Sequence, residues 1–182
     1  MADYPVVKIT KEMIDAAQKL VDAVRVNRTV ASHIDTLTGI LGEFVFAQYF
    51  YSDWRKNRVG SNKGDVNFTD IEIKTSAFPF SQRLNLLVRE DYARKRKAPF
   101  YVQIIISVQD KKASSIDPGT IAYVCGFATA TEVDNAPLRD MGSKFGGYGG
   151  YKCHHIEITD LTPMNAFQEA YKSYQRRKNG GH

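Results

Sequence analysis

The sequence predicts an α/β domain in which helices flank a mixed central β-sheet. Segments with apolar residues at helical spacing alternate with short β-branched segments, in the order helix, hairpin, strand, helix, strand, strand, helix. The chain of 182 residues suits one domain, which we place at residues 1–178, followed by a disordered tail at 179–182. With 43% hydrophobic and 25% charged residues, the composition is that of an ordinary globular protein.

Nothing in the composition indicates export or insertion into a membrane. No run approaches 18 continuous apolar residues, and the N-terminal residues lack a basic segment followed by an apolar one. The two cysteines, Cys125 and Cys153, are too few for a disulfide framework, so we expect reduced thiols in a cytoplasmic protein. Twenty-five Lys and Arg against twenty Asp and Glu give a net charge of +5, which favours a polyanionic partner.

Two helices are expected near the start of the chain. Thr10 is a suitable N-cap for the first, whose apolar positions recur at helical spacing. The second, over about residues 33–50, contains Gly39 and Gly42, each of which costs about 1 kcal/mol of helix stability relative to Ala. A close approach of the following hairpin would explain these glycines and would bring Glu43 towards that hairpin. A solvated Glu43 is the alternative.

The hairpin that follows is the most informative stretch of the sequence. Apolar and charged residues alternate over 71–74, so a strand there directs both isoleucines to the core and Glu72 and Lys74 to the opposite face. If the chain turns at 67–70, Asp65 falls opposite Glu72, and like charges so placed repel each other. Lys74 would compensate one charge, whereas a divalent cation with oxygen ligands would compensate two. The spacing therefore predicts a metal site.

Strands, helices and loops alternate through the second half of the chain. We expect strands at 84–88, 100–108, 120–127 and 155–158 and helices at 89–97, 128–135 and 163–177. Thr162 would cap the last helix with Pro163 at its first position. The apolar side of that helix is either core or the contact surface of a homodimer. The glycine-rich segment 142–152 is either a nucleic-acid contact or a mobile surface loop.

These residues resemble the PD-(D/E)XK nuclease superfamily, which has the restriction-endonuclease-like fold. The motif stands in this chain as Gly64-Asp65 followed by Glu72-Ile73-Lys74. Gly42-Glu43 lies in a helical segment that is similar to the acidic first helix of the family. A glycine replaces the proline that gives the motif its name. The resemblance covers about residues 30–125 and implies a restriction-endonuclease-like arrangement of the predicted elements.

The resemblance also implies an activity and a role for each motif residue. Asp65, Glu72 and Glu43 would bind Mg²⁺, for which Mn²⁺ would substitute, and Lys74 would position or activate the attacking water. The implied enzyme is a metal-dependent DNA endonuclease that leaves 5′-phosphate and 3′-hydroxyl ends. The alternatives are a non-catalytic DNA-binding or assembly module that keeps the fold and an RNA-directed nuclease. Restriction, homing, junction-resolving, repair and phage roles all use this core.

Basic and aromatic residues in three segments are the candidates for contacts with DNA. They precede the hairpin, end the helix at 89–97 and lie in the glycine-rich segment, where cations would meet phosphates without reading base sequence. These residues are Arg55, Lys56, Arg58, Lys63, Arg94, Lys95, Arg96, Lys97, Lys144, Tyr148 and Lys152. A solvated polar loop and the favourable charge of cations at a helix C-terminus are the structural alternatives.

Overall fold

The computed structural model of the chain describes residues 3–24, 33–57, 70–95, 98–142 and 150–180. Its α-helices within these ranges are α1 Lys11–Val24, α2 His33–Tyr51, α3 Glu90–Lys95, α4 Ala130–Asn135 and α5 Phe167–Asn179. Its strands are β1 Val6–Lys8, β2 Ile71–Phe78, β3 Asn85–Arg89, β4 Phe100–Ser107, β5 Ile121–Thr129, β6 Leu138–Asp140 and β7 Lys152–Glu157. Among these described helices, none has the length and apolar character needed to cross a membrane.

The strands form two sheets, whereas the sequence predicted a single central one. The first sheet has the order β1-β5-β4-β2 and is mixed, because β2 runs parallel to β4 while the other pairs are antiparallel. The second sheet, β3-β7-β6, is antiparallel. Strands β1 and β6 have 3 residues each, which is too short for an alternating pattern to reveal them in the sequence. The α/β class with a mixed sheet flanked by helices is confirmed.

Strand β4 is buried on both of its faces, as its continuous apolar run indicates. One face shares a core cluster with residues of α1, α2 and α5 and contributes Val102 and Ile104. The other face contributes Tyr101 and Ile105 to a second cluster with residues of β3 and α4. The first sheet therefore lies between a helical layer and the second sheet.

Helix α2 packs closely against β2, and Gly42 makes this possible. A Cβ atom on Gly42 would lie 1.8 Å from the Oγ1 atom of Thr75, so no larger residue fits without displacing the strand. The predicted close approach is therefore confirmed for Gly42. No described atom beyond its own helix backbone lies within 4 Å of a Cβ added at Gly39, and residues 58–69 of the predicted hairpin region lie outside the described ranges. Ile71 is 4% exposed and belongs to the core cluster, as the alternating pattern predicted.

The start of the C-terminal helix differs from the prediction. Thr162 exchanges two backbone hydrogen bonds of 2.9 and 3.0 Å with Phe127 of β5 and so extends the sheet. Pro163 then precedes a 3-10 turn, Met164–Ala166, and α5 begins only at Phe167. The predicted Thr162 cap is wrong because the backbone of this residue pairs with a strand.

Asp70, expected in a turn, is buried where β2 begins. It is 4% exposed. Its carboxylate accepts hydrogen bonds from the hydroxyl groups of Tyr171 and Tyr174, at 3.4 and 3.3 Å. The ammonium group of Lys178 donates a third, at 3.0 Å. Helix α5 thus positions the beginning of the strand that carries Glu72.

Candidate functional site

Glu43 of α2 and the Glu72–Lys74 ion pair of β2 make up one charged cluster, in which Glu43 lies within electrostatic range of Glu72. Strand β2 stands last in the order of the first sheet and presents Glu72 and Lys74 on the face opposite its core isoleucine side chains. Glu43 follows Gly42 in α2, so the close contact of that glycine with β2 brings the glutamate into electrostatic range of Glu72. Of the four residues predicted to be catalytic, Glu72 and Lys74 form an ion pair, and Glu43 lies within electrostatic range of Glu72.

The carboxyl group of Glu43 is in an unfavourable place for a negative charge. Burial, and then repulsion by the charge of Glu72, raise the pKa of Glu43 from 4.5 to about 7. Both causes act against the ionised form, so a cation placed between the two carboxylates would stabilise it. The partial burial of Glu43 contradicts the alternative that this residue is a solvated position on a helix.

Lys74 is held beside Glu72 by an ion pair. Its Nζ atom lies 3.1 Å from Oε1 of Glu72, and the two side chains are 27% and 51% exposed. Lys74 is in register with Gln103 of β4, which is 1% exposed and donates a hydrogen bond of 2.9 Å to the carbonyl of Ile104. Lys74 therefore lies beside a buried side chain of the neighbouring strand, while solvent reaches its ammonium group.

The donor set of this cluster suits a hard divalent cation, since Mg²⁺ prefers carboxylate oxygens. The Thr75 hydroxyl beneath Gly42 is buried and has no hydrogen-bond partner among the described residues. Within the described ranges, no group of three or more His, Cys, Asp and Glu side chains is placed to hold a metal ion. Asp65, the third predicted ligand, and its opposition to Glu72 lie outside those ranges.

Most of the predicted DNA contacts also fall outside the part of the chain that is described. These are Arg58, Lys63, Arg96, Lys97, Lys144 and Tyr148. Lys95 is the last residue of α3. Arg94 of the same helix lies 3.5 Å from Glu90, and its side chain is 73% exposed. Lys152 is exposed at the start of β7, in register with Asp140.

Arg55 and Lys56 lie in a short 3-10 turn after α2, and each packs over an aromatic ring. The guanidinium carbon of Arg55 is 4.6 Å from the ring centre of Trp54. The ammonium nitrogen of Lys56 is 5.5 Å from the ring centre of Tyr51. Such cation–π contacts contribute about 0.5–1 kcal/mol at exposed sites. Both cations are exposed where the chain leaves α2 towards the segment with Asp65.

The sequence analysis missed two arginines, Arg89 and Arg139, which lie on the second sheet. Two guanidinium nitrogens of Arg89 donate hydrogen bonds of 3.0 and 2.9 Å to Asp91, and the guanidinium carbon lies 4.9 Å from the ring centre of Tyr151. Arg139 is exposed on β6. Only the register of three strands places these arginines together, and no linear motif reveals that register.

The cluster combines a carboxylate pair that favours a cation with an accessible lysine that can contact an anion. This combination suits the hydrolysis of a phosphate ester, in which a metal ion and a lysine act on the same phosphate group. No protein-family model, no curated protein and no solved structure matches the chain.

Proposed function

We propose that this protein is a metal-dependent DNA endonuclease with a restriction-endonuclease-like fold. The observation that supports the proposal most is the position of Glu43. The close packing at Gly42 brings Glu43 within electrostatic range of Glu72, on the strand that also presents Lys74. These are the residues that match the acidic helix and the Glu-x-Lys part of the PD-(D/E)XK motif.

Glu43 and Glu72, with Asp65 of the motif, would hold Mg²⁺ or Mn²⁺. Burial and then repulsion by Glu72 disfavour the ionised form of Glu43, and a shared cation would reverse that effect. When bound, the ion would polarise a phosphoryl oxygen and lower the pKa of a nearby water molecule.

Lys74 would orient the attacking water. Its ammonium group has three N–H donors, and the ion pair with Glu72 keeps it beside the carboxylates while solvent reaches it. In-line attack on the phosphorus atom would break its bond to the 3′ oxygen. The products would carry 5′-phosphate and 3′-hydroxyl ends, as the family resemblance implies.

The paired carboxylates favour catalysis over simple binding. A surface that only binds DNA gains affinity from cations that neutralise phosphates. Two carboxylates, one of them with a pKa raised by burial and by the charge of the other, would weaken such binding. Lys74 compensates Glu72, and a bound metal ion would also compensate Glu43.

The test is a cleavage assay on supercoiled plasmid, linear duplex, single-stranded DNA, a four-way junction and single-stranded RNA. We expect nicking or cutting of the closed circular plasmid with Mg²⁺ or Mn²⁺ and none in EDTA. Cleavage of a closed circle requires an endonuclease, so it excludes an exonuclease. Cleavage that survives exhaustive chelation would contradict the metal-dependent mechanism. Cleavage of RNA but not of DNA would indicate an RNA-directed nuclease. Binding of DNA without cleavage of any substrate would indicate the non-catalytic module.

A further inference from the structure

The second sheet places two arginines on either side of one buried cysteine. Arg89 of β3 is in register with Cys153 of β7, and Cys153 is in register with Arg139 of β6. Residues that are directly paired in an antiparallel sheet share a face. With neighbouring strands about 4.8 Å apart, the two arginine backbones are roughly 10 Å apart on that face.

Tyr151 belongs to the same face and helps to fix the orientation of Arg89. It directly precedes β7, two residues before Cys153. Its ring packs against the Arg89 guanidinium, with 4.9 Å between the ring centre and the guanidinium carbon. Asp91 accepts two of the five guanidinium N–H donors, and the side chain of Arg89 is 41% exposed. Arg89 is thus both held in place and accessible.

The end of β3 that carries Arg89 lies near Lys74, although Val88 and Arg89 point to opposite faces of that strand. Val88, which precedes Arg89, packs in one core cluster with Tyr101 and Ile105 of β4. Those two residues lie on the same side of β4 as Gln103, the register partner of Lys74. The end of β3 therefore reaches the side of the first sheet on which Lys74 stands.

The electrostatic surroundings of the buried Cys153 thiol agree with this placement. Its side chain is 3% exposed, and burial raises the pKa of the thiol. The positive charges of Arg89 and Lys74 both lower the pKa, while Asp91 raises it. Arg89 is the register partner of Cys153, and Lys74 acts on the same thiol.

We infer that Arg89, Arg139 and Tyr151 form a second DNA contact surface, along which the phosphate backbone of the substrate continues from Lys74. The inference rests on the proposed function, whose substrate path it extends. A guanidinium group can bind two oxygens of one phosphate, and a bound Arg loses less freedom when its orientation is already fixed. Contacts of this kind position the DNA and carry no base specificity.

Salt dependence of DNA binding tests this surface. Arg89→Gln, Arg139→Gln and the double variant are compared with wild type on a short duplex, with Ca²⁺ present to limit turnover. Each phosphate contact contributes about −0.9 to the slope of log K against log salt concentration. We expect each single substitution to reduce the magnitude of the slope by about 0.9 and the double variant to reduce it by about 1.8. Arg89→Lys keeps the charge and loses the planar fork, so its slope should stay near wild type while its affinity falls.

Arg176→Gln is the matched control. Arg176 is an arginine on α5 that also pairs with a carboxylate, since it donates a hydrogen bond of 2.8 Å to Glu169. This substitution should leave the slope unchanged. Thermal melts of all variants identify losses of stability. An Arg89→Gln variant with lower melting temperature and an unchanged slope would make Arg89 a structural residue and overturn the inference.

The assays separate this inference from the proposed function. A wild-type protein that cleaves DNA, with Arg89→Gln and Arg139→Gln slopes equal to its own, would overturn the contact surface alone. A wild type that binds duplex without cleaving it, with the reduced slopes expected for the variants, would support the surface and contradict the endonuclease. A wild type that neither binds nor cleaves DNA would overturn both.

Discussion

Replacing Glu43 by Gln should make the metal-free protein more stable at neutral pH. The side chains have nearly the same shape, but Gln carries no charge. In the folded protein the pKa of Glu43 is about 7 instead of 4.5. Such a rise means that the favourable contribution of Glu43 to the free energy of unfolding is complete below pH 4.5 and is lost as the pH rises through about 7. The Glu43→Gln variant lacks this loss.

The size of the effect follows from the two pKa values. Their difference, 7 minus 4.5 or about 2.5, corresponds to roughly 3 kcal/mol at about 1.4 kcal/mol per pH unit. Solvent access to the partly buried side chain makes this an upper bound. For a protein of this length, 1 kcal/mol shifts the melting temperature by about 2–4 °C. The variant should therefore melt up to roughly 6–12 °C above wild type at pH near 8 and close to wild type at pH near 4.

The measurement is a series of urea and thermal denaturations across this pH range, in EDTA. Glu12→Gln, at an exposed position in the first turn of α1, is the control for removing a helical glutamate. Repeating the melts with Mn²⁺ tests the metal site, because a cation at hundredfold excess over its Kd adds about 2.7 kcal/mol to the wild type. The variant should lose most of that gain. Parallel pH curves for wild type and Glu43→Gln would refute the electrostatic account of the site.

Three further predictions follow from the same region. Gly42→Ala should lower the free energy of unfolding by about 1–3 kcal/mol, because the added Cβ clashes with Thr75. Gly39→Ala should raise it by up to about 1 kcal/mol, because Ala favours the helix and no described side chain is in the way. Urea denaturation of both variants measures these changes. Lys74→Ala should abolish most cleavage while the duplex Kd in Ca²⁺ stays near wild type; equal losses of both would mean that Lys74 only binds phosphate. Asp65→Asn should leave the metal-free protein at least as stable as wild type and remove its stabilisation by Mn²⁺ in thermal melts; a lower melting temperature independent of metal would instead indicate a structural turn residue.

The alternation of apolar and polar residues predicted the elements around the site well where it extended over several residues. The alternation at 71–74 correctly assigned Ile71 to the core. It also placed Glu72 and Lys74 on the opposite face. The strand nevertheless continues to Phe78, beyond the alternating residues 71–74. Thr75 is in the strand because all 8 residues of β2 pair with β4, and parallel pairing depends on a distant segment that local composition does not reveal.

The errors arise where distant contacts outweigh a local signal. Thr162 followed by Pro163 is a good helix-start signal, yet the Thr162 backbone pairs with Phe127. Asp70 has the composition of a turn, yet donors from α5 satisfy its buried carboxylate. The second sheet was missed for a related reason. Its β6 strand has 3 residues, so the row containing Arg139 appears only once three strands are paired.

Two unfavourable features coincide at the contact of α2 with β2, and together they favour a functional explanation. Gly42 costs about 1 kcal/mol of helix stability relative to Ala. The approach it permits then buries Glu43 within electrostatic range of a second carboxylate, and both effects disfavour the ionised form of Glu43 at neutral pH. A fold selected for stability alone would place a larger apolar residue at position 42, a neutral one at 43, or a wider spacing between helix and strand. Residues that break local rules without a compensating contact in the fold tend to mark functional sites. A cation bound by Glu43 and Glu72 supplies that compensation, because it converts their repulsion into shared coordination.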